Sequence, residues 1–302
     1  MPKTLAGFSL RDLEYVEAVA ELKHFGRAAE RCHVSQPALS EQVRKLEAQL
    51  GAAIFERTKR RVSITPQGEI LLLHIERILT EARNLIAVGR EGANLSGVLT
   101  LGAIETLGPY YLPLVMRLLR TEKPEISLRL TENRTAALLE RLRHGALDVI
   151  LAVATPDLPG LSAAELFFEP FVLVAPLGHP LGALPRIKLE GLPHDDLLLL
   201  EEGHCLRDQA LALCSGAPRA TRHATSLETL WHMIAAGEGY SLLPALAIAA
   251  RPDLAGRVMR RPLMEPNAGR RISMIWRASD PREGQFRALA ALLRKEVPNE
   301  VK

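Results

Sequence analysis

Two cysteines nine residues apart are the side chains of this sequence best suited to covalent chemistry. Both lie in the segment from Glu201 to Gly216, which reads EEGHCLRDQALALCSG. The segment is typical of a helix that begins near Cys205, and the partial positive charge at a helix N-terminus favours the thiolate form of a cysteine. His204 and Arg207 flank Cys205 as possible cationic partners. We therefore expect Cys205 to be partly thiolate near neutral pH.

The spacing of the two cysteines bears on what their oxidation would do. If residues 206–213 are helical, the Cα atoms of Cys205 and Cys214 lie about 13.5 Å apart at 1.5 Å per residue, whereas a disulfide tolerates at most about 7 Å. A disulfide between them would require that helix to unwind. Spacing alone still favours two inert thiols in a reducing compartment. Asp208 would oppose a thiolate if it faced the sulfur, so we expect it in a hydrogen-bonding or proton-relay position.

The composition of the chain excludes several classes of protein. Its 302 residues, 47% hydrophobic and 24% charged, predict a globular protein of two or three domains. No apolar run approaches the roughly 18 residues that cross a bilayer, and we expect a cytoplasmic protein without a membrane partner. The sequence has no G-x-S-x-G, H-E-x-x-H, C-x-x-C or Walker motif, and its nine histidines match no zinc spacing. We expect no enzyme, no metal and no cofactor.

Excess positive charge is confined to the first fifth of the chain. Residues 1–66 carry 11 basic and 8 acidic side chains, and the remaining residues carry 27 of each. A basic module on a neutral remainder suggests a nucleic-acid partner. Charge alone would still favour ordinary solvated helix faces. The pattern of helices is therefore needed to distinguish these from a module that binds nucleic acid.

Three short helices and a tight turn are predicted in this basic region. The first two lie near 10–20 and 26–32, where Cys32 is expected to be a buried filler. Ser35 is a suitable N-cap for a third helix that runs to about Leu50, with a proline in its first turn. This arrangement is a helix-turn-helix, whose recognition helix enters the major groove. The candidate DNA contacts on that helix are Ser35, Gln36, Pro37, Ser40 and Arg44.

A basic hairpin is predicted next. The stretch at 54–65, IFERTKRRVSIT, has strand-like ends around a basic middle. Such a hairpin is typical of a wing against the DNA backbone, although the wing alone fits an ordinary surface hairpin equally well. Wing and recognition helix together favour DNA. The wing residues expected at phosphates are Arg57, Arg60 and Arg61.

A long helix is predicted from Thr65-Pro66 onward. Its apolar positions step by 4, 3, 4, 3 and 4, which is a heptad seam, and a second stripe repeats every seven residues. This surplus of apolar surface favours dimerisation, but three heptads leave open that the helix packs only on its own domain. The seam comprises Leu71, Ile75, Ile78, Ala82, Leu85 and Gly89, and the second stripe comprises Leu72, Leu79 and Ile86.

From Ser96-Gly97 onward, strands and helices alternate. Apolar runs predict buried strands at 98–104, 126–130, 149–153, 171–175, 197–200, 241–243 and 272–276, with helices such as 110–120 and 135–144 between them. The pattern predicts an α/β fold with mostly parallel sheets. About 200 residues are many for one such sheet, so we expect two subdomains with a cleft between them.

Four motifs of the first quarter resemble the winged helix-turn-helix of LysR-type transcriptional regulators. They are FGRAA at 25–29, VSQPALS at 34–40, the stretch 50–57 and TPQG at 65–68. The rest of the chain fits the family along its length. The resemblance implies a winged helix-turn-helix at 1–65, a linker and dimerisation helix at 66–93, and an α/β, periplasmic-binding-protein-like regulatory domain at 94–302. Subdomain I would span about 94–168 and 275–302, and subdomain II about 169–274.

Within that family, GHCLRDQ at 203–209, Cys214 and TLGPY at 106–110 closely resemble the hydrogen-peroxide-sensing members. The resemblance implies that Cys205 is the peroxidatic thiol, oxidised to a sulfenic acid, and that Cys214 is the resolving thiol that forms the disulfide. It assigns peroxide binding or proton transfer to Thr106, Thr135, His204, Arg207 and Asp208. It implies promoter DNA and RNA polymerase as partners and a homo-oligomer, a tetramer built as a dimer of dimers. Oxidation would then change how the regulatory domains pair, and so the DNA contacts at oxidative-stress genes.

Two other functions stay open at this point. A regulator of the same family would bind a small-molecule co-inducer in the interdomain cleft. Alternatively, the α/β part would work as a thiol peroxidase, which turns over many equivalents of peroxide where a sensor reacts once per site.

Overall fold

Two units of different architecture make up the chain, one comprising Met1–Ala93 with His144–Ala146 and the other Asn94–Arg143 with Leu147–Lys302. The computed structural model describes residues 7, 9–57, 62–88, 95–154, 158–214, 222–254, 256–295, 297 and 301. Among the helices in these ranges, none combines the length and the apolar character needed to cross a membrane.

Local capping signals start the helices of the N-terminal unit. The Ser9 side chain forms a capping box with Asp12, Ser35 Oγ accepts from the Ala38 N–H, and Thr65 Oγ1 accepts from the Gly68 N–H. These starts agree with the sequence prediction. The described elements of this unit are α1 (Leu10–Leu22), α2 (Phe25–Arg31), α3 (Gln36–Leu50), β1 (Phe55–Arg57), β2 (Val62–Ile64) and α4 (Pro66–Val88).

Helix α4 divides its apolar residues between two environments. Leu72, Ile75 and Leu79 are buried in the core of the N-terminal unit, together with residues of α1 and α3. The large apolar side chains of α4 that remain exposed are Ile70, Ile78, Leu85 and Ile86. Packing within the unit therefore accounts for only part of the predicted apolar surface.

The second unit alternates strands and helices and confirms the α/β class. Its described elements are β3 (Gly97–Ile104), α5 (Gly108–Glu122), β4 (Ile126–Asn133), α6 (Thr135–Arg143), β5 (Val149–Val153), β6 (Leu161–Pro176), β7 (Leu199–Leu200), α7 (Cys205–Leu213), β8 (His223–Ala224), α8 (Leu227–Ala235), β9 (Ser241–Pro244), α9 (Ala245–Ala249), β10 (Val258–Pro262), β11 (Gly269–Arg277) and α10 (Glu283–Lys295).

The main sheet is mixed, with strand order β10-β6-β11-β5-β3-β4 and with β9 also paired to β6. Strand β3 pairs parallel with β4 and β5, whereas β11 pairs antiparallel with β5 and β6, and β6 pairs antiparallel with β9 and β10. The prediction of mostly parallel sheets is therefore wrong for this sheet. The long strand β6 is the reason, because its three partners β9, β10 and β11 all run opposite to it, which among the described strands of this sheet leaves only the β3–β4 and β3–β5 pairs parallel.

Two hydrophobic cores are joined by the long strand β6. The first core gathers residues of β3, α5, β5 and α10 around Trp276 and Phe286. The second core gathers residues of β7, α7, α8 and β9 around Trp231 and Tyr240. Leu166 on β6 belongs to the first core, and further along the same strand Leu173 belongs to the second. The domain and subdomain boundaries taken from the sequence stay predictions.

Candidate functional site

Helix α7 carries both cysteines of the candidate site at its two ends. Cys205 is its first residue and follows the N-cap His204, while Cys214 is its C-cap. The helix between them runs without a break, as predicted, and both cysteines are free thiols. The two thiols are thus held apart by the regular structure of α7.

The two ends of α7 contact different cores. Leu206, Ala210 and Cys214 belong to the second core, whereas Cys205 packs against the first. Cys214 is 2% exposed, and this burial raises the pKa of its thiol. Bringing the two sulfurs together would therefore withdraw at least one of the two cysteines from the core that it contacts.

Three chain segments converge at the N-terminus of α7. His204 Nδ1 lies 3.6 Å from Glu105 Oε2, in the segment that follows β3. Arg134 Nη1, between β4 and α6, donates a hydrogen bond of 3.0 Å to the carbonyl of Glu202. Because β3 and β4 are parallel neighbours, their carboxyl ends meet at one edge of the sheet. The fold therefore brings 105–106, 134–135 and 202–205 together.

Thr106 is fixed in this site by a buried ion pair. Arg270 donates 2.8 Å from Nη1 to Thr106 Oγ1 and 3.0 Å from Nη2 to its carbonyl. Arg270 Nε in turn donates 2.8 Å to Glu169 Oε2, and both of these charged side chains are fully buried. The second carboxylate oxygen of Glu169 accepts from the Leu246 N–H at 3.0 Å. Thr106 is thereby held rigidly, since its supporting groups are themselves paired.

Two polar atoms of the candidate residues are buried without a hydrogen-bond partner among the described residues. They are His204 Nε2 and Thr135 Oγ1. His204 is 5% exposed, and Thr135 is the first residue of α6. Buried polar atoms in proteins are nearly always hydrogen-bonded. Each of these two atoms, an imidazole nitrogen and a hydroxyl oxygen, is therefore a candidate to hydrogen-bond a small polar ligand.

Arg207 and Asp208, the two charged residues of the segment at 203–209, do not share the buried surroundings of His204. Arg207 Nη1 donates 2.9 Å to the carbonyl of Leu200 and lies 3.2 Å from His223 Nδ1. These partners belong to β7 and β8, on the side of the second core. Asp208 lies in the first turn of α7 and is exposed.

The structure adds site residues that the sequence did not single out. The sequence does mark Glu169 as unusual, since it is the one charged residue in the apolar run LFFEPFVLVAP at 166–176. No sequence pattern marks Arg270 as a site residue, because it reaches Thr106 across 164 positions of sequence. Gln209, one turn after Cys205, also has a buried and unpartnered Oε1 atom within the described part of the chain. The described ranges hold no group of three or more His, Cys, Asp or Glu residues arranged to bind a metal.

A separate candidate surface lies at the start of α3. Ser35, Gln36 and Pro37 are exposed there, and Ser40 is half-buried. Arg44 is exposed further along the helix and pairs with Glu41. The buried face of α3 contributes Leu39, Val43 and Leu46 to the core. The polar N-terminal face of α3 therefore lies at the surface of the unit and not in its core.

The two ends of the predicted wing, β1 and β2, pair as antiparallel strands. Phe55 pairs with Ile64 and Arg57 with Val62. Arg57 is the last residue of β1. Arg60 and Arg61 lie outside the described residues.

Family comparisons cover both units. The profile described as "Bacterial regulatory helix-turn-helix protein, lysR family" matches residues 10–69, and "LysR substrate binding domain" matches residues 92–298. Among solved structures, a cysteine-to-aspartate variant of full-length OxyR from Pseudomonas aeruginosa is 40% identical and has a TM-score of 0.75, covering 95% of this chain and 98% of that one. A peroxide-bound cysteine-to-serine variant of Corynebacterium glutamicum OxyR is 34% identical with a TM-score of 0.64, covering 95% and 93%.

Relatives of known name agree with these matches. The "Hydrogen peroxide-inducible genes activator" of Pectobacterium carotovorum subsp. carotovorum is 40% identical over 293 residues, which cover 96% of this chain and 97% of that protein. The "DNA-binding transcriptional dual regulator OxyR" of Escherichia coli K12 is also 40% identical over 293 residues, covering 96% of each. The chain therefore belongs to the LysR family of bacterial helix-turn-helix transcription regulators and, within it, is similar to OxyR.

Proposed function

We propose that this regulator senses hydrogen peroxide through Cys205 and reports it by forming a disulfide with Cys214. The observation that carries the proposal is the convergence of three segments at the loop that leads into Cys205, with His204 Nε2 and Thr135 Oγ1 buried and unpartnered among the described residues. The names of the relatives, which are peroxide-inducible activators, support the same signal.

The proposed chemistry has two steps. The Cys205 thiolate attacks one oxygen of hydrogen peroxide, an S–O bond forms, the O–O bond breaks, and the departing hydroxide takes a proton to become water. The Cys214 thiol then gives up its proton and attacks the sulfenic sulfur, an S–S bond forms, the S–O bond breaks, and the departing hydroxide takes up a proton to become a second water. The two thiols lose two electrons in all, and the peroxide gains them.

The neighbouring residues bind the peroxide and handle its protons. His204 and Thr135 supply the two unpartnered atoms, and Thr106 supplies a hydroxyl fixed by Arg270. Asp208 assists proton transfer from the solvent side, since it is exposed in the first turn of α7. Arg207 stabilises the β7 backbone next to α7 and acts through that contact.

Peptide mapping after peroxide treatment under non-reducing conditions tests the sensor. We expect a crosslink between Cys205 and Cys214 in the wild-type chain, and a sulfenic acid trapped by dimedone in Cys214→Ser. Cys205→Ser should give neither product. Absence of the crosslink together with an unreactive Cys205 rejects the proposal. DNase footprinting of wild type and Cys205→Ser, with and without peroxide, connects the thiol to DNA.

Promoter DNA is the proposed partner of the N-terminal unit. Ser35, Gln36, Pro37, Ser40 and Arg44 would face the major groove, and the wing, with Arg57, Arg60 and Arg61, would lie on the backbone. Arg60→Ala and Arg61→Ala should weaken binding to every sequence and flatten the salt slope by about one per lost phosphate contact. Binding that ignored the salt concentration would contradict this role.

The proposed assembly is a tetramer, built from two dimers, and within each dimer the two chains contact each other through α4. This tetramer would act in the cytoplasm and contact RNA polymerase. The exposed apolar residues of α4 support the dimer contact. Oxidation would change how the regulatory domains pair, and so the spacing at which recognition helices meet successive major grooves.

A small-molecule co-inducer is the second candidate signal, favoured by the match of residues 92–298 to a substrate-binding domain. Ligands that raise the melting temperature of Cys205→Ser would support it. Turnover of many equivalents of peroxide per chain would instead indicate a thiol peroxidase.

A further inference from the structure

Arg134 joins the start of α6 to the loop that leads into Cys205. Its Nη1 atom donates a hydrogen bond of 3.0 Å to the carbonyl of Glu202, and its Nη2 atom lies 3.6 Å from Glu201 Oε2. One guanidinium therefore binds a backbone oxygen and a carboxylate of the same loop.

Gly203 shows how closely this loop fits the guanidinium. Its φ of +91° lies in the region that favours glycine, and a Cβ atom built there would lie 3.0 Å from Arg134 Nη1 and 3.3 Å from its Cδ. The side chain of Arg134 thus lies directly against the backbone of Gly203. A residue with a side chain would both strain this backbone and push the loop away from Arg134.

The backbone of Arg134 is also fixed. Its N–H donates a hydrogen bond of 2.8 Å to Asn133 Oδ1. Its carbonyl accepts a hydrogen bond of 3.1 Å from the Leu138 N–H, which lies in the first turn of α6. Thr135 follows directly in the chain. The arginine therefore connects a rigid helix start, which holds Thr135, to the loop that ends in His204 and Cys205.

We propose that Arg134 is a positioning residue for the oxidation of Cys205. It holds the loop at 201–203, which leads into Cys205, against the start of α6 in the thiol form, where Thr135 lies. It releases the loop when residues 205–214 unwind to form the disulfide. This inference rests on the peroxide-sensing function proposed above, and it adds a residue that sets how readily the site reacts and resolves.

Loss of Arg134 should affect the two chemical steps in opposite directions. The first step should slow, because the loop no longer holds the thiol beside its partners. The disulfide should become more favoured, because the contact stabilises only the thiol form. Both groups of the ion pair are partly exposed, so each effect should be about two- to tenfold. General loss of stability would slow the first step without favouring the disulfide.

Two measurements on the full-length chain test this role. The rate of dimedone-trapped sulfenic acid formation is measured for Arg134→Ala in the Cys214→Ser background. The fraction of disulfide is measured for Arg134→Ala with both cysteines present, at fixed ratios of reduced to oxidised glutathione. We expect a lower rate and a higher disulfide fraction. Arg134→Lys, which keeps the charge but not the two-pronged geometry, should fall between Arg134→Ala and wild type.

Matched variants separate the positioning role from other effects. Arg287→Ala removes another exposed Arg–Glu pair, with Glu283 at 2.7 Å within α10, and should change neither quantity. Gly203→Ala disturbs the same contact from the loop side and should reproduce both changes, which keeps the test usable if Arg134→Ala folds poorly. A wild-type rate and a wild-type disulfide fraction in Arg134→Ala and Gly203→Ala overturn the inference. If wild-type Cys205 does not react with peroxide, the proposed function itself fails.

Discussion

At the residue scale, the site depends on one fully buried ion pair. Arg270 fixes both oxygens of Thr106 and is balanced by Glu169, which in turn holds the Leu246 N–H. Removing one partner of such a pair leaves an uncompensated charge away from water. The pair therefore links the hydroxyl that is proposed to meet peroxide to the stability of the whole unit.

Arg270→Met should lower the free energy of unfolding by about 3–5 kcal/mol, because it leaves the Glu169 carboxylate buried and alone. Urea unfolding of the reduced protein measures the change. Glu169→Gln combined with Arg270→Met removes both charges and keeps an acceptor for Leu246, so it should recover much of the loss. Equal losses for the single and the double variant would contradict this account.

Cys214 should make the stability of the reduced protein depend on alkaline pH. Burial raises the pKa of its thiol in the folded state, so above the unfolded value of about 8.5 the unfolded chain loses this proton more readily. The stabilisation is fully present below that pH and is lost as the pH rises through the folded pKa. The difference in unfolding free energy between wild type and Cys214→Ala should therefore shrink from pH 8 to pH 10. A constant difference over that range would count against the raised pKa.

The candidate site was only partly predictable from sequence at this scale. The cysteines, His204 and Thr106 stand in short motifs whose local pattern carries the signal. Arg270 is joined to Thr106 only by the fold, across 164 positions, and no local pattern indicates it. Arg134 is equally hard to predict from sequence, since its partners Glu201 and Glu202 are 67 and 68 positions away.

At the element scale, helix α7 keeps the two thiols apart. Its residues are good helix formers, and its inner face packs on the second core. The energy needed to unwind it opposes the disulfide. Changing helix propensity without touching either cysteine should therefore change the redox equilibrium.

Ala212→Gly should favour the disulfide. Ala212 is an exposed residue of α7, and glycine destabilises a helix by about 0.5–1 kcal/mol relative to alanine. The ratio of disulfide to dithiol at a fixed glutathione ratio should rise by about two- to fivefold. Ala288→Gly, at an exposed position of α10, is the matched control and should leave the ratio unchanged. A similar rise in both variants would assign the effect to general stability.

Helices were more predictable than strand partners, for a physical reason. The starts of α1, α3 and α4 follow from caps and prolines within a few residues. The partners of β6 and β11 lie far apart in the chain, so no local pattern gave their antiparallel pairing. The sequence also predicted only the second half of β6 and did not predict β10.

At the scale of the whole molecule, α4 presents more apolar surface than its own unit covers. Leu85 is 75% exposed, and Ile78 and Ile86 are exposed beside it. Such a surface is typical of an interface between copies. In the predicted dimer, the exposed apolar surface of α4 would be buried on both chains.

Leu85→Glu should weaken dimerisation. Burial of a leucine side chain contributes about 1.5–3 kcal/mol, so the dimer dissociation constant should rise at least about tenfold. Sedimentation equilibrium of the reduced protein measures it. Leu184→Glu changes an exposed leucine of the other unit and is the matched control. An unchanged mass distribution in Leu85→Glu would place the dimer contact elsewhere.

The separation of the thiols by α7 also sets how the sensor would fail. Under the proposed chemistry, the sulfenic acid of Cys205 waits for α7 to open before Cys214 reaches it. During that delay a second peroxide molecule competes with Cys214 and carries Cys205 on to a sulfinic acid, which thiols do not reduce. If α7 opens more slowly, sulfinic acid formation becomes faster than disulfide formation at a lower peroxide concentration. Helix stability thus fixes an upper limit to the dose that the protein reports reversibly.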